Sequence, residues 1–115
     1  MAHPAWTRRL PLCLLFAAAL ALPAAAQAED DPDLELGKQV FLELAEPQCA
    51  LCHTLADAGA TGDLAPDLDQ LQPSHERLET VVTEGIDIMP AYGDILSEEQ
   101  IRAVAHYVAT VAGQQ

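Results

Sequence analysis

The pentapeptide Cys49-Ala50-Leu51-Cys52-His53 constrains this chain more than any other stretch. Two cysteines three positions apart on a helical turn present both sulfurs to one edge of a flat ring. The histidine that follows them is held under that ring. This is the spacing at which thiols add to the two vinyl groups of a porphyrin, leaving an imidazole nitrogen to bind iron as proximal ligand. Two other chemistries use a C-x-x-C pair. A zinc site needs a second pair of ligands, and His75 and His106 stand alone with no further cysteine near them. A thioredoxin-like redox pair follows a strand inside a βαβ pattern, and no strand pattern precedes Cys49. Covalent haem attachment is the reading these residues favour.

The start of the chain agrees with it. Arg8 and Arg9 precede an apolar run from Leu10 to Leu22, and Ala26-Gln27-Ala28 has the form of a signal-peptide cleavage site. The run is interrupted by Pro11 and Pro23 and is short for a membrane span. Cleavage after Ala28 is expected, leaving residues 29–115 as one monohaem domain in the periplasm without a membrane anchor. Cys13 leaves with the leader, because Leu12 stands where a lipoprotein signal needs a small residue. The exported chain then keeps Cys49 and Cys52 alone. Haem of the c type is attached outside the cytoplasm, so export and motif point the same way.

Charge narrows the partners. All 18 acidic residues lie at Glu29 or later, whereas the basic residues beyond the leader are Lys38, Arg77 and Arg102. Nucleic acid and anionic membranes repel such a chain. A redox partner with a basic docking surface attracts it, although the same charge also keeps a small exported protein soluble.

The remaining residues read as a small all-α unit. Asp31 or Asp33 can cap a helix with Pro32 in its first turn. Gly37, Val40, Phe41 and Leu44 recur at helical spacing from Leu34 to about Ala45. Pro47 closes that helix ahead of the cysteines. His53 to Leu71, with Gly59, Gly62 and Pro66, reads as an irregular loop long enough to wrap a cofactor edge. A second helix is expected over His75–Glu84, with Gly85 past its end. A second loop, Gly85 to Leu96, carries Met89-Pro90. Ser97-Glu98-Glu99-Gln100 is a capping box announcing a last helix to about Ala112, ended by Gly113. No strand pattern or internal repeat is visible. With Phe41, Tyr92 and Tyr107 as the aromatics beyond the leader, the core is thin, and a covalent haem would supply much of its apolar bulk.

Met89 is the one methionine beyond the leader. Its thioether is a soft neutral donor, and Pro90 stiffens the backbone beside it, so Met89 is the expected sixth ligand of the iron. His75 reads as a solvated first-turn residue and His106 as a surface or interface residue.

Cys49-x-x-Cys52-His53, then Pro66, then Met89-Pro90-Ala91-Tyr92 before a terminal amphipathic helix resembles a class I cytochrome c, and most of all the small bacterial periplasmic members. The resemblance covers about Leu34 to Val111. It implies the cytochrome c fold, with three main helices and loops around one covalently attached haem c. It also implies thioether links at Cys49 and Cys52, His53 and Met89 on the iron, and a Pro66 carbonyl that accepts a hydrogen bond from His53. Gly37 and Phe41 of the first helix would meet Val104 and Tyr107 of the last. Two departures stand out. Ala65 occupies a position where the family often has glycine. No tryptophan remains beyond the leader to bind a haem propionate, leaving Tyr92 as a substitute or as a packing residue.

The function that follows is a periplasmic one-electron carrier, not an enzyme. The alternative is a cytochrome subunit relaying electrons from a catalytic partner chain, such as a dehydrogenase for sulfite or another small substrate. A third reading is a gas sensor or haem enzyme with a labile Met89.

Overall fold

Asp31 opens the folded part of the chain as a helix N-cap. Its carboxylate accepts the N–H of Asp33 at 3.0 Å, and Pro32, which has no N–H to leave unsatisfied, takes the first helical turn. The computed structural model describes residues 31–114 and the first two residues. The expected signal peptide and its cleavage site after Ala28 lie outside the described residues.

Helix α1 is Pro32–Gln39, and its path continues as a wider turn over Val40–Leu44. There the N–H of Ala45 reaches back five residues to the Val40 carbonyl at 3.1 Å. The helix expected from Leu34 to Ala45 is thus present but changes its hydrogen-bond spacing on the way. The wide turn leaves Val40, Phe41 and Ala45 fully inside the core.

The stretch expected as an irregular loop carries more order than its sequence announced. Thr54–Leu55 (β1) pairs antiparallel with Ala60–Thr61 (β2), in register Thr54 to Thr61 and Leu55 to Ala60. Gly59, at φ 64°, turns the chain between them. A short helix α2, Leu68–Leu71, follows, capped by Asp67, which accepts the N–H groups of Asp69 and Gln70 at 2.9 and 3.3 Å. Two-residue strands cannot display a period of two, which is why no strand pattern was visible. The fold remains all-α apart from this small ladder.

Helix α3 is His75–Glu84 and helix α4 is Glu98–Val111, as the capping signals indicated. Ser74 Oγ accepts the N–H of Arg77 at 3.2 Å. The capping box of α4 closes both ways, Gln100 N–H to Ser97 Oγ at 3.2 Å and Ser97 N–H to Gln100 Oε1 at 2.9 Å.

Helices α1 and α4 cross at Gly37. A Cβ there would overlap the carbonyl oxygen of Ala103 and the Cβ of Tyr107, so the backbones meet where a side chain is absent. Beside this crossing Phe41 and Tyr107 pack edge to face, with centroids 6.2 Å apart. The expected partners of Gly37 and Phe41 are borne out for Tyr107. Two aspartates fasten the hairpin region to this helix pair. Asp57 accepts from Tyr107 Oη at 2.6 Å and Lys38 Nζ at 3.2 Å. Asp69 accepts the N–H of Ala56 at 2.8 Å and that of Gly113 at 2.9 Å.

Candidate functional site

The site is built from a single tight turn. Over Cys49–Leu51 the chain winds so that the N–H groups of Cys52 and His53 both point to the Cys49 carbonyl, at 3.2 and 3.0 Å. The turn delivers the side chains of Cys49 and His53 to one cavity of about 350 Å³. Pro66 from the following loop lines it, as does Met89 from the loop after α3. Phe41, Val82, Val104 and Val108 supply apolar walls from the wide turn of α1 and from α3 and α4. Four residues separated by up to 40 positions in sequence thus share one chamber. Cys52 does not line it and sits partly exposed one turn on.

His53 has a defined tautomer. Its Nδ1 lies 2.8 Å from the Pro66 carbonyl oxygen. A carbonyl can only accept, so Nδ1 carries the proton and Nε2 keeps its lone pair free for a metal. Ala65 fits without strain, its N–H donating to the Cys52 carbonyl at 3.0 Å. The glycine that matters here is Gly62, whose missing Cβ would lie 2.8 Å from the backbone nitrogen of His53. Along the sequence Gly62 is legible only as a loop former. Thr54 Oγ1 donates to the Gly62 carbonyl at 2.8 Å and holds the approach.

The Cys49 thiol is pushed up to about 11 by burial. It is therefore a neutral thiol at physiological pH, whereas a catalytic redox cysteine has its pKa lowered. Among the described residues no group of three or more His, Cys, Asp or Glu side chains could hold a metal ion. Neither the thioredoxin nor the zinc alternative gains support.

Met89 is presented by a two-residue turn. Ile86 N–H donates to the Met89 carbonyl at 3.1 Å and Met89 N–H to the Ile86 carbonyl at 2.8 Å. Asp87 at φ 49° permits the reversal. Beyond it Tyr92 N–H bonds the Val82 carbonyl at 2.8 Å and Gly93 N–H the Thr83 carbonyl at 3.2 Å, tying the loop to the end of α3.

Tyr92 is a packing residue. Its hydroxyl donates to the Pro47 carbonyl at 2.7 Å, its side chain is 3% exposed, and it does not line the cavity. Burial pushes the hydroxyl up to about 12. His75 and His106 also lie outside the cavity lining. His75 Nε2 pairs with Glu79 at 3.0 Å, and His106 Nε2 with the α1 cap Asp31 at 3.0 Å.

The donor set suits a flat apolar cofactor bearing iron. One imidazole nitrogen and one thioether reach the same cavity, and its walls are almost wholly apolar. Leu64 and Ile88 also line it while remaining 71% and 88% exposed, an arrangement that a large apolar ligand would cover.

Comparison with known proteins gives the same direction. Residues 32–108 match the family model described as cytochrome c oxidase, cbb3-type, subunit III. Chloroplastic cytochrome c6 of Chlamydomonas reinhardtii is 33% identical over 109 residues, spanning 86% of this chain and 68% of its own length. Cytochrome c6 of Tetradesmus obliquus is 36% identical over 86 residues, spanning 66% of this chain and 88% of its own. The crystal structure of the c-type cytochrome SorU from Sinorhizobium meliloti is similar with a TM-score of 0.70 and 58% identity, over 73% of this chain and 95% of that one.

Proposed function

The chain belongs to the cytochrome c family, as a small class I c-type cytochrome with covalently bound haem c, and from that premise we propose that it is a periplasmic one-electron carrier ligated by His53 and Met89. The observation that carries this reading is the shared cavity of Cys49, His53 and Met89, with the His53 tautomer set by Pro66. Bound haem c supplies reversible one-electron chemistry at its iron, with no group transferred.

Each residue then has a defined task. Cys49 and Cys52 tether the ring through thioether bonds. His53 offers Nε2, while its Nδ1–H bond to Pro66 fixes the ring plane and makes the nitrogen a stronger donor. Met89 offers a neutral thioether that favours the ferrous state and raises the reduction potential. With His53 and Met89 both holding the group, the site would offer no open position to a substrate, which would separate a carrier from a haem enzyme or gas sensor. The partner is a redox protein with a basic face, since 18 acidic residues set the field of this chain. A dehydrogenase holding its own catalytic cofactor is one such partner. Co-purification at a fixed ratio distinguishes its cytochrome subunit from a free shuttle.

The assignment of Met89 has a direct spectroscopic test. Ferric protein is expected to show the weak long-wavelength sulfur-to-iron charge-transfer band. Met89→Ala is expected to abolish the band while both thioether links remain, and to let the reduced protein bind carbon monoxide. A wild-type protein without the band would overturn Met89 as a ligand.

A further inference from the structure

We infer that Tyr92 is a positioning residue for Met89: its hydroxyl bond to the Pro47 carbonyl ties the methionine loop to the cysteine turn and keeps the thioether seated. This rests on reading Met89 as an iron ligand. The ring of Tyr92 fills the core, where it is 3% exposed. Its hydroxyl adds a directional bond, donated to Pro47 at 2.7 Å across 45 positions of the chain. Tyr92 stands three residues after Met89, and Pro47 two residues before Cys49. The bond therefore joins the two stretches that bring His53 and Met89 to the cavity, and neither of its ends lines that cavity.

The other polar ties of the loop run elsewhere. Ile86 and Met89 bond each other, and the N–H groups of Tyr92 and Gly93 reach Val82 and Thr83 at the end of α3. Those of Ile95 and Leu96 return to the Tyr92 carbonyl. Among the described residues, the Tyr92 hydroxyl makes the one hydrogen bond from residues 85–96 to any residue ahead of α3. Without it the loop is fastened by polar contacts to α3 alone, and apolar packing is left to keep Met89 in the cavity of His53. The hydroxyl, shut away from water, gains no replacement partner unless the loop moves. Oxidised protein is where this tie matters most. A thioether favours the ferrous state, so the same donor is held less firmly by ferric iron. Fixing the loop raises the effective concentration of that donor at its site.

The test is an imidazole titration of the ferric, haem-loaded protein, with loss of the sulfur-to-iron band reporting displacement of Met89. A competing ligand binds in proportion to the fraction of molecules with Met89 away. Tyr92→Phe keeps the ring and deletes the bond, so the band should persist without imidazole. The apparent dissociation constant for imidazole should fall at least about threefold, inside the roughly two- to tenfold span of one neutral hydrogen bond. Tyr107→Phe removes another buried hydroxyl bond, to Asp57 at 2.6 Å, outside both ligand stretches. It should lower Tm yet leave the imidazole affinity at its wild-type value. Wild-type affinity in Tyr92→Phe, or an equal gain in the two variants, would overturn the assignment, because the bond would then serve general stability alone. If Tyr92→Phe fails to load haem, the wild-type protein decides by nuclear magnetic resonance. The Tyr92 hydroxyl proton should be shielded from exchange in the free protein and exchange freely in the imidazole complex. Equal protection in both states would also overturn the assignment. Failure of Met89 as a ligand would appear separately, as a wild-type spectrum without the sulfur band.

Discussion

Gly85 performs two tasks that only a residue without a Cβ can combine. Its backbone sits at φ 75° and ψ 167°, a region open essentially to glycine. A Cβ at that position would also lie 2.8 Å from the Met89 carbonyl oxygen and the Ala91 nitrogen. The residue that ends α3 is therefore the residue on which the Met89 turn rests. Gly85→Ala is expected to cost about 1–3 kcal/mol from backbone strain alone. It should also loosen Met89, so that the charge-transfer band weakens and the reduced protein gains carbon monoxide binding. An intact band with ordinary stability in the variant would show that the turn tolerates the extra carbon. The sequence told us that Gly85 ends a helix. Its contact with the carbonyl of Met89 required the loop to be folded back.

At the scale of elements, the crossing of α1 and α4 decides how firmly the cysteine loop is held. Gly37→Ala gains helix propensity of roughly 0.5–1 kcal/mol. The obstacle it meets is backbone at Ala103 as well as the Tyr107 Cβ, and overpacking of this kind costs about 1–3 kcal/mol. The clash wins, and a fall in Tm of several degrees is expected, since each kcal/mol moves a domain of this size by about 4–8 °C. A Tm at or above wild type would mean that the helices separate without cost.

Asp57 joins the same pair to the β1–β2 region. Its hydrogen bond from Tyr107, with help from Lys38, holds its carboxyl below the usual carboxylate range, while burial and the same bond push the Tyr107 hydroxyl upward. A carboxylate with a depressed folded pKa contributes stability that is present above its unfolded value, about 3.9, and is lost as pH falls through the folded value. Asp57→Asn should therefore lower Tm at pH 7 but narrow its gap to wild type below about pH 4. A gap that stays constant down to pH 2 would remove Asp57 from the acid response. Charge pairing of Asp57 was invisible in the sequence, because its two partners, Lys38 on α1 and Tyr107 on α4, lie far from it along the chain.

For the molecule as a whole, the cavity sets the dependence of the fold on its cofactor. The cavity is walled by apolar side chains and open at Leu64 and Ile88, so without a partner that apolar surface faces water, at a cost of about 25 cal/mol per Å². The apolar walls of α1, α3 and α4 therefore need a partner to hold them apart. A Cys49→Ser, Cys52→Ser variant purified without haem is expected to lose most helical circular dichroism and its cooperative melt. A haem-free chain melting near the temperature of the loaded protein would refute that dependence.

The haem attachment motif and the caps of α3 and α4 were legible from local chemistry, and local chemistry is what a sequence displays. Thiol spacing is a covalent requirement, and the Ser97–Gln100 box closes within four residues. The tautomer of His53, the commitment of Tyr92 to Pro47, the seat of Met89 on Gly85 and the place of Arg77 at the cavity were decided only by tertiary structure. Each depends on which polar groups meet after distant segments pack, and a hydrogen bond spanning 45 residues, as between Tyr92 and Pro47, leaves no periodic or spacing signal in the chain.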